Sequence, residues 1–158
     1  MAINPNTNFT AGTVLTAAQQ NRFPRGVMAL ATSTTSYVLT VTETIATGMT
    51  ATFTAVASRY YRITYFEPQA QTATVLSNTT TSIRQTNATG TVLNSTIIAN
   101  SAAAQQQGGI ICVSNNTFTA GSVTVVGCAK VSVTTGAPNL IRDASHTAFI
   151  LVEDIGPA

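Results

Sequence analysis

Met49-Thr50-Ala51-Thr52-Phe53-Thr54-Ala55 decides the fold: Met49, Ala51, Phe53 and Ala55 alternate with three threonines. A period of two, rather than 3.6, places successive side chains on opposite faces of a strand. One face is therefore apolar and the other is made of hydroxyls. Threonine suits the second role because its β-branch is stiff at χ1 and fits a pleated surface, while its hydroxyl stays wet without a charge. The same alternation precedes it, with Tyr37, Leu39 and Val41 set against Val38, Thr40 and Thr42, and Thr47-Gly48 reads as the turn between the two runs.

Working outward, Arg59-Tyr60-Tyr61-Arg62-Ile63-Thr64-Tyr65-Phe66 is the richest strand, with Tyr61, Ile63 and Tyr65 on one face and Tyr60, Arg62 and Phe66 on the other. Pro68 is expected to end it, because proline cannot donate to a ladder. Further strands are predicted at Ala73 to Leu76, Ser82 to Thr86, Gly90 to Leu93, Gly109 to Val113, Ser122 to Ala129 and Thr147 to Glu153. Short strands at this spacing indicate an all-β antiparallel β-sandwich or jelly roll. The stretch Asn100 to Gly109 breaks the pattern and reads as a helical turn or a long flexible loop.

The N-terminal region differs. Thr16-Ala17-Ala18-Gln19 has the form of a capping box, which predicts a short helix running to about Arg22, with Pro24 and Gly26 breaking it. The expected organisation is a docking arm or helical hook over 1–30 and a sandwich domain over 31–158. The arm lies either on its own domain or on a neighbouring subunit. Phe9 to Val14 echoes Phe118 to Val123, but a stretch this short is turn chemistry and no repeat.

Composition narrows the function. Thirty of the 158 residues are threonine, and charged residues make up 8% against about 25% in ordinary domains. Charge normally keeps diffusing proteins apart, so this surface suits an assembled, extracellular or virion protein. The net charge of +2, with its basic residues scattered, argues against nucleic-acid binding. No apolar run approaches the ~20 residues of a membrane span. Met1 to Asn6 lacks a basic and an apolar signal region, which implies synthesis in a cytoplasm. The five Asn-x-Ser/Thr triplets, at Asn8, Asn78, Asn87, Asn94 and Asn115, then follow from composition alone.

Candidate chemistry is sparse. The carboxylates are Glu43, Glu67, Asp143, Glu153 and Asp154. Glycan cleavage needs two acids facing across a groove; Glu153 and Asp154 point to opposite faces of a strand, which leaves Glu43 with Glu67. Asp143, Ser145 and His146 contain the residue types of a hydrolase triad, but the nucleophile elbow is missing and a polar turn accounts for them. Two cysteines and one histidine cannot complete a usual zinc site, and Gly108-Gly109 lacks the rest of a phosphate loop. No catalytic residue, metal or cofactor is expected. Cys112 and Cys128 flank a turn at Ala120-Gly121, and the register of that hairpin decides whether they meet; free buried thiols are the simpler expectation.

Arg59, Tyr60 and Arg62, around Tyr61, form the one dense aromatic and basic cluster, of the residue types that anchor interfaces or stack on sugar rings. Arg22 and Arg25 in the hook, with Glu153 and Asp154 near the other end, are expected to meet between adjacent copies.

Three pieces then carry a resemblance: the hook Phe9 to Asn21, the strand Phe53 to Thr64 and the tail Phe149 to Pro157. In this order they resemble a family of small structural proteins of tailed bacteriophages. The resemblance implies a β-sandwich subunit of the virion, in tail tip, fibre, head fibre or capsid decoration, with no catalytic residue carried over; the tyrosine-rich strand and threonine faces suit adhesion to a host surface glycan and favour the tail tip or fibre. It further implies a homo-oligomer, a trimer, joined to other virion proteins through the N-terminal arm. The alternative is a capsid-decoration or head-fibre protein. More remote are a glycan depolymerase and a bacterial surface adhesin.

Overall fold

A computed structural model describes residues 11–72, 77–99 and 105–158. The strand expected at Ala73 to Leu76 lies outside them. The described elements are helix α1 (Ala17–Gln20) and strands β1 (Gly26–Ser33), β2 (Tyr37–Val38), β3 (Thr44–Ala55), β4 (Arg59–Thr72), β5 (Asn78–Gln85), β6 (Val92–Ala99), β7 (Gln105–Thr117), β8 (Gly121–Val131), β9 (Asn139–Leu140) and β10 (Ala148–Pro157). None of the described helical structure is long and apolar enough to cross a membrane.

The long strands form two antiparallel sheets. One runs β1-β10-β4-β7, extended by the short β9 and β2 along the far half of β4; the other runs β3-β8-β5-β6. Successive long strands cross from sheet to sheet, apart from the β5–β6 hairpin. This is a jelly roll, the eight-stranded arrangement of two Greek keys, and the expected fold class is met. At one side, where β6 lies beside β7, side chains replace a backbone ladder: Asn94 Nδ2 donates to Val113 O at 2.5 Å, Ser114 Oγ to Leu93 O at 3.1 Å and Thr96 Oγ1 to Ile111 O at 3.2 Å.

Alternation does what the residues predict. From Met49 to Ala55 in β3, from Arg59 to Glu67 in β4 and throughout β10 every second side chain is buried, whereas of the alternating run at 37–42 only Tyr37–Val38 is strand and Val41 is exposed. Tyr61, Ile63, Tyr65, Ile150 and Val152 meet Phe53, Ile83, Val123, Val125 and Ala129 from the other sheet. Phe53, Tyr61 and Phe118 pack as a triangle with centroids 5.0, 5.8 and 6.0 Å apart.

Inside this core sits a polar cluster. Arg142 donates from Nε to Glu67 Oε2 at 2.9 Å and from Nη2 to Oε1 at 2.5 Å, and both side chains are wholly buried. Its Nη1 reaches Thr47 O at 2.7 Å and Thr35 O at 3.3 Å, and the Tyr65 hydroxyl donates to Glu67. Burial, and then the Glu67 charge, push the Tyr65 phenol well above its ordinary range, so it stays a donor. Glu67 therefore cannot face Glu43, which lies on the outer side of the other sheet.

Several expectations change for identifiable reasons. Thr47-Gly48 is no turn but part of a wide bulge inside β3, where residues 46–49 oppose Gly127 alone. The bulge turns both Ala46 and Met49 inward and offers Thr47 O to Arg142. Pro68 does not end β4; it falls between the stretch paired with β10 and the stretch paired with β9, so its missing N–H breaks no ladder bond on that side. Residues 105–109 are neither helix nor loop but the start of β7, paired with β4 at Gln69, Ala70, Gln71 and Thr72. The boundary expected between 30 and 31 falls inside β1, because Gly26, at φ 76, already turns the chain into register with Asp154.

Cys112 and Cys128 are not hairpin neighbours. Their strands belong to different sheets, and both thiols are free and buried. Burial pushes both upward, Cys128 to about 11. We expect neither to react with a thiol reagent at neutral pH until the protein unfolds, read by a colorimetric thiol assay with and without denaturant. A second expectation concerns Gly127, where an added Cβ would lie 2.8 Å from the Tyr65 ring. Gly127→Ala should cost about 1–3 kcal/mol by overpacking, measured by urea unfolding.

Candidate functional site

The hook is built as its residues predict. Thr16 Oγ1 accepts from Gln19 N at 3.2 Å and Gln19 Oε1 accepts from Thr16 N at 2.9 Å, closing the capping box. The helix ends at Gln20, a little earlier than expected. Its C-terminal end is held by Arg59, whose Nη1 donates to Asn21 O and Nη2 to Phe23 O, both at 2.5 Å. The rest of that guanidinium grips Asp154, with Nε to Oδ2 at 2.5 Å and Nη2 to Oδ1 at 2.8 Å. Asp154 is further fixed by Gly156 N at 2.9 Å, across a bulge near the end of β10. The described part of the arm thus lies on its own domain.

This corrects two expected interface residues. Arg59 and Asp154 are 4% and 1% exposed and satisfied within the chain, so neither is offered to a partner. A carboxylate already held bidentate by an arginine is not waiting for Arg22 or Arg25 of another copy. Arg22 is half-buried and Arg25 exposed.

Tyr60, Arg62 and Glu153 lie instead on the outer face of the six-stranded sheet. Antiparallel register places cross-strand partners on one face. One row reads Leu30, Leu151, Thr64, Val113; the next reads Thr32, Phe149, Phe66, Ile111; a third reads Val27, Glu153, Arg62, Asn115. The centre is apolar, with Phe66 and Phe149 stacked at 5.3 Å and 28°. Leu30, Ile111 and Val27 are 58%, 53% and 62% exposed. Arg62 and Glu153 are cross-strand neighbours at one margin and carry opposite charges.

The residues of the Asp143 turn do not form a triad. Asp143 Oδ1 accepts from the backbone N–H groups of Ser145 and His146 at 2.7 and 2.8 Å, and its carboxylate meets His146 Nδ1 at 2.9 Å, all at the exposed surface. The His146 bond, then the backbone donors, hold Asp143 below its ordinary range. This is an Asx turn leading into β10.

Composition missed Arg142, Arg84 and Lys130 as partners of the acids. Arg142 meets Glu67 from 75 positions away and Arg84 meets Glu43 from 41, so no local motif announces either pair.

No family of known sequence matches the chain, and no curated protein does either. Among solved structures it is similar to Eiger TNF from S. frugiperda, at 7% identity and TM-score 0.49, over 84% of this chain and 94% of that one. It is also similar to dimeric latent PorU from Porphyromonas gingivalis, at 8% and 0.38, over 84% of this chain and 13% of PorU. A third is the enzymatically active domain of bacteriophage CBA120 tailspike protein 4, at 13% and 0.32, over 84% of this chain and 19% of that one. Likenesses this distant say nothing of function, which has to be argued from the surface.

The clamp makes its own prediction. Arg59→Ala strands Asp154 in the interior and should cost about 3–5 kcal/mol. In the variant that still folds, the freed hook should be cut by trypsin at Arg22 and Arg25 much faster than in the parent, read by mass spectrometry.

Proposed function

We propose that the chain is a non-enzymatic structural subunit of a tailed-bacteriophage virion, working as a symmetric homo-oligomer, a trimer, in the tail tip or fibre. The observation that carries this reading is the outer face of the six-stranded sheet. Its rows of Leu, Phe, Ile and Val are contiguous, and patches of that kind mark association surfaces. A second copy is the occupant its charge favours, since Arg62 and Glu153 at the margin give the face one charge of each sign. Contacts between copies of one chain, head to tail around a three-fold axis, call for charges of both signs. The scarcity of surface charge removes the repulsion that would oppose crowding copies together.

The chain's own resemblance to phage structural proteins supports the same reading from another direction. Its three pieces, hook, strand and tail, are the three that supply Asn21, Arg59 and Asp154 to the clamp. What those residues share is therefore a means of fixing an arm at one end of a sandwich, through which other virion proteins are joined. Capsid decoration or a head fibre remains the alternative, and copy number separates it, since hundreds per particle place the subunit on the head. A depolymerase is disfavoured because Glu43, Glu67 and Asp154 are each held by an arginine. A bacterial adhesin would be found on uninfected cells.

Immunogold labelling of purified particles with an antibody to this chain tests the location, and unlabelled particles overturn the reading. Light scattering after gel filtration tests the face. The parent should be oligomeric, while Ile111→Glu combined with Leu30→Glu should be a folded monomer with an unchanged far-ultraviolet spectrum. A monomeric parent, or an oligomer indifferent to these changes, would remove the face from the argument.

A further inference from the structure

We propose that the outer face of the four-stranded sheet holds a groove for a carboxylate-bearing saccharide. Two adjoining depressions of about 290 and 220 Å³ share Thr80, Ile97 and Lys130, which form one cross-strand row. Each volume lies below the small-ligand range of about 300–1,000 Å³, which fits a shallow surface groove in contact with a short stretch of sugar chain.

The groove is where a charge-poor chain concentrates charge. Glu43 reaches across β8 to Arg84, which donates from Nε to Oε1 at 3.0 Å and from Nη2 to Oε2 at 2.6 Å, while the Ser82 hydroxyl donates to Oε1. The remaining Arg84 nitrogen, Nη1, donates to Gly90 O at 2.9 Å. The fork of Arg84 is thus spent, and its hydrogen bonds hold Glu43 ionised below the ordinary carboxylate range. Lys130 is the third charge. Its ammonium lies 3.9 Å from Glu43 Oε2 and its side chain is 43% exposed, so it keeps donors for a ligand. Glu43 and Arg84 cancel, and the surplus in the groove is one positive charge on the Lys130 amine.

The walls match an amphipathic ring. Val41, Ile97 and Val92 are 58%, 65% and 47% exposed and give aliphatic surface for the C–H face of a pyranose. Thr80 and Ser95 add hydroxyls beside the amine. An acidic sugar uses all three features at once, whereas a neutral one leaves the groove's surplus positive charge unmatched and a simple anion leaves the aliphatic walls unused. The groove lies on the side of the sandwich opposite the proposed association face, so oligomerisation leaves it open. The inference deepens the reading above by naming the chemistry of a host-surface contact, and it rests on that reading only for where the saccharide comes from.

Isothermal titration of the full chain with a short oligogalacturonate, against a neutral cello-oligosaccharide of equal length, tests it. The acidic ligand should bind, more weakly as salt rises, and the neutral one should bind about tenfold less tightly or not at all. Lys130→Ala should lose about tenfold or more in affinity for the acidic ligand, Lys130→Arg should retain most of it, and Ile97→Asp should abolish it. Gel filtration should show the same oligomer for all variants. Equal binding of both sugars, no binding of the acidic one up to its solubility, or an unchanged Lys130→Ala would each overturn the groove. Those results leave particle labelling and oligomeric state untouched, and unlabelled particles would leave a measured affinity untouched, so the two failures are distinguishable.

Discussion

Arg142 and Glu67 face each other in the dry space between the two sheets, and much of the sandwich is arranged to keep both charges satisfied. An isolated charge there would cost several kcal/mol, so each lone pair and each N–H must find a partner. Glu67 is given one by Tyr65, and Arg142 is given two carbonyls, Thr47 in the bulge of β3 and Thr35 before β2. That requirement explains an otherwise odd strand. A regular β3 would leave Thr47 O in a ladder; the bulge frees it and turns Met49 and Ala46 into the core. Gly127 leaves room for the Tyr65 ring that completes the set.

The same economy runs through the molecule. Arg59 with Asp154 fixes the hook, Arg142 with Glu67 ties the interior, and Arg84 with Glu43 braces the outer face of the second sheet. Charge is used for joining parts of one chain more than for hydrating its surface. Wetting is left to threonine, in rows such as Thr52 with Thr124, whose hydroxyls meet at 2.9 Å. A surface of this kind tolerates close neighbours because it contributes little long-range repulsion. The two opposite faces are then free to differ: one broad and apolar, the other hydroxyl-rich with a charged groove along Lys130, Thr80 and Ile97.

Much of the fold was legible along the chain. The alternation of Met49 to Ala55 and of Arg59 to Phe66 assigns inward and outward faces correctly, and the capping box at Thr16 is present in full. The less legible parts share one cause. Pro68, Thr47-Gly48 and Gln105 to Gly109 depart from their own propensities, because the state of each depends on which strand lies beside it. The hairpin expected between Cys112 and Cys128 failed for the same reason, since adjacency in sequence does not say whether the chain stays in one sheet or crosses to the other.

Local chemistry therefore determined the class of structure: period-two patterning, β-branched hydroxyl residues and turn punctuation allow little but stacked antiparallel sheets. Those are properties of a residue and its near neighbours, and they need no knowledge of the rest of the chain. The partners of the charges were decided only by tertiary structure. Arg59 looks like an exposed anchor beside three aromatic or basic neighbours, and becomes a buried clamp because β10 brings Asp154 to it from 95 positions away. Ion pairing depends on distance in space, and in a jelly roll, where successive strands change sheets, distance in space bears little relation to separation along the chain.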